Sequence, residues 1–135
     1  LMHDTDVTIY NRIKSTAYEH DSYIPTVLHN TSVKYVYGAQ TGTQGDINAD
    51  VVVLSILKKY LADVVYVKPK EYAAMIDHTG IFTLDKGDFF VIGDVKEESG
   101  MVDFLSYMKE KYDSVHEILS VATYNLIPHW EVTAK

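Results

Sequence analysis

Histidine is the side chain in this sequence best suited to metal binding or to proton transfer near neutral pH. No two of the histidines stand four residues apart, the spacing by which a helix presents two ligands to one zinc ion. They are His3, His20, His29, His78, His116 and His129. The chain has no cysteine, which excludes disulfides, thiolate zinc sites and cysteine nucleophiles. We therefore expect histidines that lie on the surface or form hydrogen bonds, with no metal and no cofactor.

Paired carboxylates are a second candidate for chemistry, because two acids can share acid and base roles or hold a cation. The pairs are Asp4 with Asp6 and Asp85 with Asp88. The second pair flanks a predicted turn, where aspartate is favoured for its hydrogen bonds to the local backbone. The sequence also has no Gly-x-Ser-x-Gly nucleophile motif. We predict no catalytic residue and a protein that is not an enzyme.

A glycine-rich segment from Gly38 to Asp46 has three glycines and little apolar content. It matches neither the dinucleotide-binding fingerprint nor a P-loop, since no Lys-Ser or Lys-Thr pair follows its last glycine. We expect a loop that is mobile in the isolated protein and ordered only against a partner. Its polar side chains are the predicted assembly residues: Gln40, Thr41, Thr43, Gln44 and Asp46.

The net charge and the tyrosine content indicate which kinds of partner the protein can bind. The formal net charge is −7 and Arg12 is the single arginine, which argues against sequence-directed nucleic-acid binding. Eleven tyrosines stand against four phenylalanines. Tyrosine is enriched both at interfaces and in strands, so the excess favours the two interpretations equally.

The length of 135 residues predicts one domain over residues 1–135. Period-2 alternation and β-branched residues predict many short strands. A hairpin is expected where two apolar runs flank the turn Asp85-Lys86-Gly87-Asp88. The predicted strands are residues 6–10, two strands within 23–37 separated near 30–32, 51–54, 64–67, 81–84, 89–95, 115–124 and 129–133. A turn at Asn125 to Pro128 joins the last two.

Two helices are expected between the strands. A short one near 69–76 begins at Pro69, and a longer one near 100–112 follows Ser99 as a plausible N-cap. The longer helix should bury a face formed by Met101, Phe104, Leu105 and Met108. Trp130 and Val132 share a face of the last strand and are predicted core residues. Together these elements predict a β-rich α+β fold, a small β-barrel or sandwich with a helix packed on it.

Four stretches resemble a family of small proteins encoded in the structural modules of tailed bacteriophages and prophages. They are Asp6 to Asn11, Tyr66 to Tyr72, Phe82 to Gly93 and Tyr112 to Val132, and the most telling part is the run His129-Trp130-Glu131-Val132. In size and β-rich character that family is similar to head-closure (stopper) or minor capsid proteins of the head-tail connector. The family provides no catalytic residue.

The resemblance implies a non-enzymatic virion subunit, assembled in the bacterial host cytoplasm, that forms a ring between the portal or adaptor and the tail. Its partners would be identical subunits, portal or adaptor proteins and tail proteins, with DNA only as passing, non-specific cargo and no membrane. An acidic surface is consistent with a DNA conduit because it repels phosphates. The alternative is a monomeric β-barrel that binds a ligand through the loop from Gly38 to Asp46, or an accessory enzyme.

Overall fold

The computed structural model describes residues 2–14, 20–37, 50–97 and 101–135. Six strands close into a barrel in the order β1-β2-β3-β8-β7-β6, with every neighbouring pair antiparallel. The barrel strands are β1 (Thr5–Ile13), β2 (Ser22–Val36), β3 (Val51–Leu57), β6 (Phe89–Ile92), β7 (Val115–Tyr124) and β8 (His129–Ala134). The predicted β-rich α+β fold with a small barrel is therefore confirmed.

The remaining elements lie on the connection between β3 and β6 and before β7. A 3-10 turn, Lys58–Tyr60, follows β3 directly. Two short strands, β4 (Val65–Tyr66) and β5 (Ile81–Phe82), pair in parallel and flank helix α1 (Pro69–Ala74). Helix α2 (Phe104–Lys111) connects β6 to β7.

The strands β2 and β7 each pair with one neighbour along their first part and with another neighbour along the rest. This change of partner closes the barrel. Residues up to Thr31 of β2 pair with β1, and residues from Ser32 onward pair with β3. The change of partner follows Asn30, whose φ of 58° turns the strand. β7 changes partner in the same way, from β6 to β8 at Ile118. The two strands expected within 23–37 are thus one long bent strand.

The barrel interior holds the larger apolar core. Alternate residues of the strands point inward, as the burial of Val7 and Ile9 in β1 and of Trp130 and Val132 in β8 shows. Tyr66 and Phe82 pack on Trp130, with ring centroids 4.7 and 6.4 Å from it. The short β4–β5 sheet therefore covers one end of this core.

A second core lies outside the barrel, between α2 and the outer faces of β1 and β6. Tyr10, Phe89, Phe104 and Met108 are each no more than 1% exposed. Tyr10 stacks on Phe89 with ring centroids 4.9 Å apart. Because β6 is covered on both faces, it is a continuous apolar run rather than an alternating one.

The expected hairpin from Ile81 to Val95 is wrong. β5 pairs with β4, whereas β6 pairs with β1 and β7. The backbone N–H and C=O of Thr83, just after β5, bond instead to the side chain of Asn11. A local apolar-turn-apolar pattern identifies strands, but these long-range bonds decide their partners.

Helix α2 is shorter than predicted. It begins at Phe104, after Asp103 in a left-handed conformation with φ of 58°, and the expected cap Ser99 lies outside the described residues. Phe104 and Met108 are buried and Leu105 is half-buried, whereas Met101 precedes the helix and is 42% exposed. Met101 was therefore wrongly assigned to the buried face. Helix α1 also ends earlier than predicted, at Ala74.

Candidate functional site

The predicted assembly residues Gln40, Thr41, Thr43, Gln44 and Asp46 lie outside the described residues. The strand that leads toward them ends in exposed aromatic side chains. Tyr35 is 44% and Tyr37 is 72% exposed. The hydroxyl of Tyr35 lies 3.2 Å from Nε2 of His116 on β7, so Tyr35 is held across the barrel mouth.

Two strongly exposed apolar side chains lie next to each other at the end of the hairpin formed by β7 and β8. Leu126 is 98% and Ile127 is 65% exposed, and Tyr124 at the end of β7 is 46% exposed. We call these three residues the hairpin tip. Isolated exposed apolar residues are ordinary on protein surfaces, whereas a large contiguous apolar patch is typical of an interaction site.

The hairpin tip is held in place by contacts at its base. The backbone N–H of Lys58 donates to the carbonyl of Pro128 at 3.0 Å, which joins the tip to the 3-10 turn. The ring of His129 stacks on Tyr124, with centroids 4.6 Å apart and planes at 6°. Nδ1 of His129 lies 2.7 Å from the carbonyl oxygen of Ile127. The tip therefore presents its apolar groups from a fixed frame, which lowers the entropic cost of binding.

A shallow groove of about 240 Å³ runs beside the hairpin tip. Leu57, Ile127 and Pro128 form its apolar wall, and Lys58 and Lys59 complete its lining. Neither lysine forms an ion pair with a described residue. The groove surface is thus mainly apolar, and Nζ of Lys59 lies 5.1 Å from the centre of the Tyr60 ring.

Asp88 is the one carboxyl in the described residues whose pKa is strongly raised. Burial raises the pKa of Asp88 to about 6, partly offset by hydrogen bonds from the backbone of Arg12 and the side chain of Asn11. Its Oδ1 accepts from the N–H of Arg12 at 2.9 Å. Its Oδ2 accepts from Nδ2 of Asn11 at 2.9 Å and from the N–H of Asp85 at 3.1 Å. These three donors give the carboxylate a structural role that ties β1 to the 83–88 segment.

The described residues contain no group of three or more histidine, aspartate or glutamate side chains placed to hold a metal ion. Neither described helix has the length and apolar character that crossing a membrane requires. His78 contacts the carbonyl oxygen of Tyr72 at 2.9 Å through Nε2, and burial lowers the pKa of His116. These histidines take part in local structural contacts.

The hairpin tip was missed at the level of sequence. Residues Asn125 to Pro128 were interpreted only as a turn between two strands, which is correct as structure. The available signal was composition, because turns favour Gly, Asn, Asp, Ser and Pro, whereas Leu126 and Ile127 are large and apolar. The buried role of Asp88 had no comparable signal, since its partner Asn11 lies 77 residues away.

Comparison with known proteins gives one match. A model of a protein family described as a family of unknown function (DUF6751) matches residues 2–135. No curated protein and no solved structure matches the chain.

Proposed function

The chain belongs to this family of unknown function, DUF6751, and we propose that it is a non-enzymatic structural subunit of a tailed phage's head-tail connector. It would be of the head-closure (stopper) or minor capsid type and would form a ring between the portal or adaptor and the tail. The observation that carries the proposal is the hairpin tip, with Leu126 and Ile127 exposed on a fixed hairpin. The sequence resemblance to phage structural proteins supports it.

The hairpin tip suits a contact between unlike surfaces of two subunits. Burying a Leu or Ile side chain contributes about 1.5–3 kcal/mol relative to leaving it exposed. In a ring of identical subunits, the tip of one subunit would contact a different surface of the next one. Such head-to-tail contacts close into rings when the rotation between subunits permits.

Charge supports the same arrangement. The chain carries 19 acidic against 12 basic side chains, so a neighbouring copy has a net negative charge. Lys58 and Lys59, beside the hairpin tip, would be attracted by that net charge. The overall negative charge also suits a conduit in which DNA passes without binding.

The proposal is tested on particles of the phage or prophage that carries the gene. Purified virions are analysed by mass spectrometry and cryo-EM, with a tagged copy of the chain supplied during assembly. We expect the chain in the particles at a fixed copy number, located as a ring between head and tail. A chain that stays in the host lysate and is absent from the particles would overturn the proposal.

The tip itself is tested by the double variant Leu126→Asp with Ile127→Asp. The matched control is Ile76→Asp, because Ile76 is 99% exposed and lies on the segment between α1 and β5. We expect the tip variant to fold but to be excluded from particles, and the control to be incorporated. Incorporation of the tip variant at the level of the control would overturn the role of the hairpin tip.

A further inference from the structure

A cavity of about 330 Å³ lies away from the hairpin tip, between the end of β1, helix α1 and the 83–88 segment. This volume is within the range of small-ligand pockets. Its charged lining consists of Arg12, Lys14, Lys70 and Lys86 with Asp85 and Asp88. One third of the basic side chains of an acidic protein thus face one cavity.

The four cationic side chains of this cavity outnumber the two carboxylates that line it. None of the four forms an ion pair with a described residue. The carboxylate of Asp88 is already occupied by three N–H donors. The lining therefore keeps an excess of two positive charges, which a bound dianion would balance.

The guanidinium of Arg12 packs against Gly87. It lies so close to Gly87 that a methyl group added there would sit 2.8 Å from Nη2 of Arg12. Gly87 also has φ of 99°, a conformation that favours glycine. The planar guanidinium of Arg12 can bind an oxyanion through two parallel N–H groups.

Tyr72 of α1 supplies an independent observation. The residue is 2% exposed and lines the cavity. Its hydroxyl forms no hydrogen bond with any described residue. Buried hydroxyls are nearly always paired, so the Tyr72 hydroxyl is a donor that lacks an acceptor among the described residues.

We propose that this cavity binds a phosphate monoester group, with Arg12 as the central ligand and the Tyr72 hydroxyl as a neutral donor. The lysines at positions 14, 70 and 86 would supply the remaining positive charge. Ile13, Pro69 and Ala73 give the cavity an apolar wall, which suits a small organic body on the ester. The proposal is independent of the proposed connector role.

Amide NMR titrations at constant ionic strength test the site with inorganic phosphate, phenyl phosphate, acetate and the oligonucleotide dT8. We expect saturable shifts at Arg12, Tyr72 and Gly87, with phenyl phosphate binding most tightly. Equal affinity for acetate would overturn the phosphate assignment. Binding of dT8 through the same residues with equal affinity would assign the site to phosphodiesters of nucleic acid and overturn the monoester assignment.

Variants separate the site from general attraction to lysines. Arg12→Gln should weaken phenyl phosphate binding by about tenfold or more, the effect of losing a charged hydrogen bond. Lys34→Gln, at an exposed position of β2, is the matched control and should bind like the wild type. Unsaturated shifts, or equal affinity of Arg12→Gln and the wild type, would overturn the proposal.

The variant Tyr72→Phe distinguishes a specific loss of binding from a loss of binding that is caused by unfolding. It removes the hydroxyl that has no acceptor, so the melting temperature should hold or rise. Phenyl phosphate binding should weaken by about threefold, the effect of one neutral hydrogen bond. A variant that binds as tightly as the wild type would remove Tyr72 from the site.

Discussion

The side-chain amide of Asn11 and the carboxylate of Asp88 are joined by a hydrogen bond of 2.9 Å inside the fold. The same amide donates to the carbonyl of Thr83 at 2.7 Å and accepts from its N–H at 3.1 Å. Asn11 therefore forms the backbone hydrogen bonds that a neighbouring strand would otherwise form with the segment after β5. It fixes the 83–88 segment against β1.

Asn11→Ala tests this link. The change leaves the N–H and C=O of Thr83 without partners in a buried position, and each unpaired buried group costs about 1–3 kcal/mol. We expect the free energy of unfolding in urea to fall by about 3 kcal/mol or more. Asn125→Ala, at an exposed turn position, should stay within about 0.5 kcal/mol of the wild type. Equal stability of the two variants would contradict the assignment.

Asp88 gives the protein a specific pH dependence. Burial raises the pKa of Asp88 to about 6 from 3.8, so the folded state binds its proton more tightly than the unfolded state. The stabilising contribution of this group is fully present below pH 4 and is lost as the pH rises through 6. At about 1.4 kcal/mol per pKa unit, the loss is at most about 3 kcal/mol.

The difference in unfolding free energy between wild type and Asp88→Asn isolates this contribution, because the other titrating groups cancel. We expect the difference to decrease from pH 4 to pH 7. In the wild type, the carboxyl ¹³C shift of Asp88 should titrate with a midpoint near the pKa of about 6. A difference that increases with pH would mean that the three N–H donors outweigh burial.

The two hairpins predicted from the sequence show how far the sequence determines the fold. β7 and β8 were predicted within one residue, because alternation and a short turn suffice for neighbouring strands. The expected pairing of β5 with β6 failed although both strands exist, because their partners come from distant parts of the chain. Local patterns specify strands, while pairing depends on contacts that no short window contains.

The same limit applies to the sites. Leu126 and Ile127 lie side by side in the sequence, so their exposure in a turn could be suspected from composition. The cavity joins Arg12, Tyr72 and Lys86, which come from three separate segments. Only the packed fold brings these side chains together.

Because α2 begins only at Phe104, substitutions of two methionines should affect stability to very different extents. Met108 is fully buried, whereas Met101 is 42% exposed and lies before the helix. Met108→Ala should lower the free energy of unfolding by about 2–5 kcal/mol, the usual cost of emptying a core position. Met101→Ala should change it by less than about 0.5 kcal/mol. Similar decreases in the free energy of unfolding for the two variants would support the longer helix predicted near 100–112.

Glu97 should stabilise α2 only while it is ionised. Hydrogen bonding from Lys111, with further bonds from Tyr112 and Tyr107, holds the pKa of Glu97 below its usual value. This contribution is therefore present above the unfolded pKa and is lost as the pH falls through the folded pKa. Glu97→Gln should lower the melting temperature at pH 7 and have little effect in acid. Glu110→Gln, at an exposed position of the same helix, should have no effect at either pH.

Trp130 provides the sharpest test of the barrel interior. It is 7% exposed and packs against Tyr66 and Phe82, yet its indole N–H has no acceptor among the described residues. Trp130→Ala empties the site and should lower the free energy of unfolding by about 3–5 kcal/mol.

Trp130→Phe keeps an aromatic ring and removes the unpaired donor, which offsets part of the lost packing. We expect it to cost less than Trp130→Ala, because the cavity that it leaves is smaller. Because neither variant retains a tryptophan, unfolding is followed by far-UV circular dichroism. An equal loss in both variants would show that the indole ring alone fits between Tyr66 and Phe82, and an unchanged Trp130→Ala would place β8 outside the core.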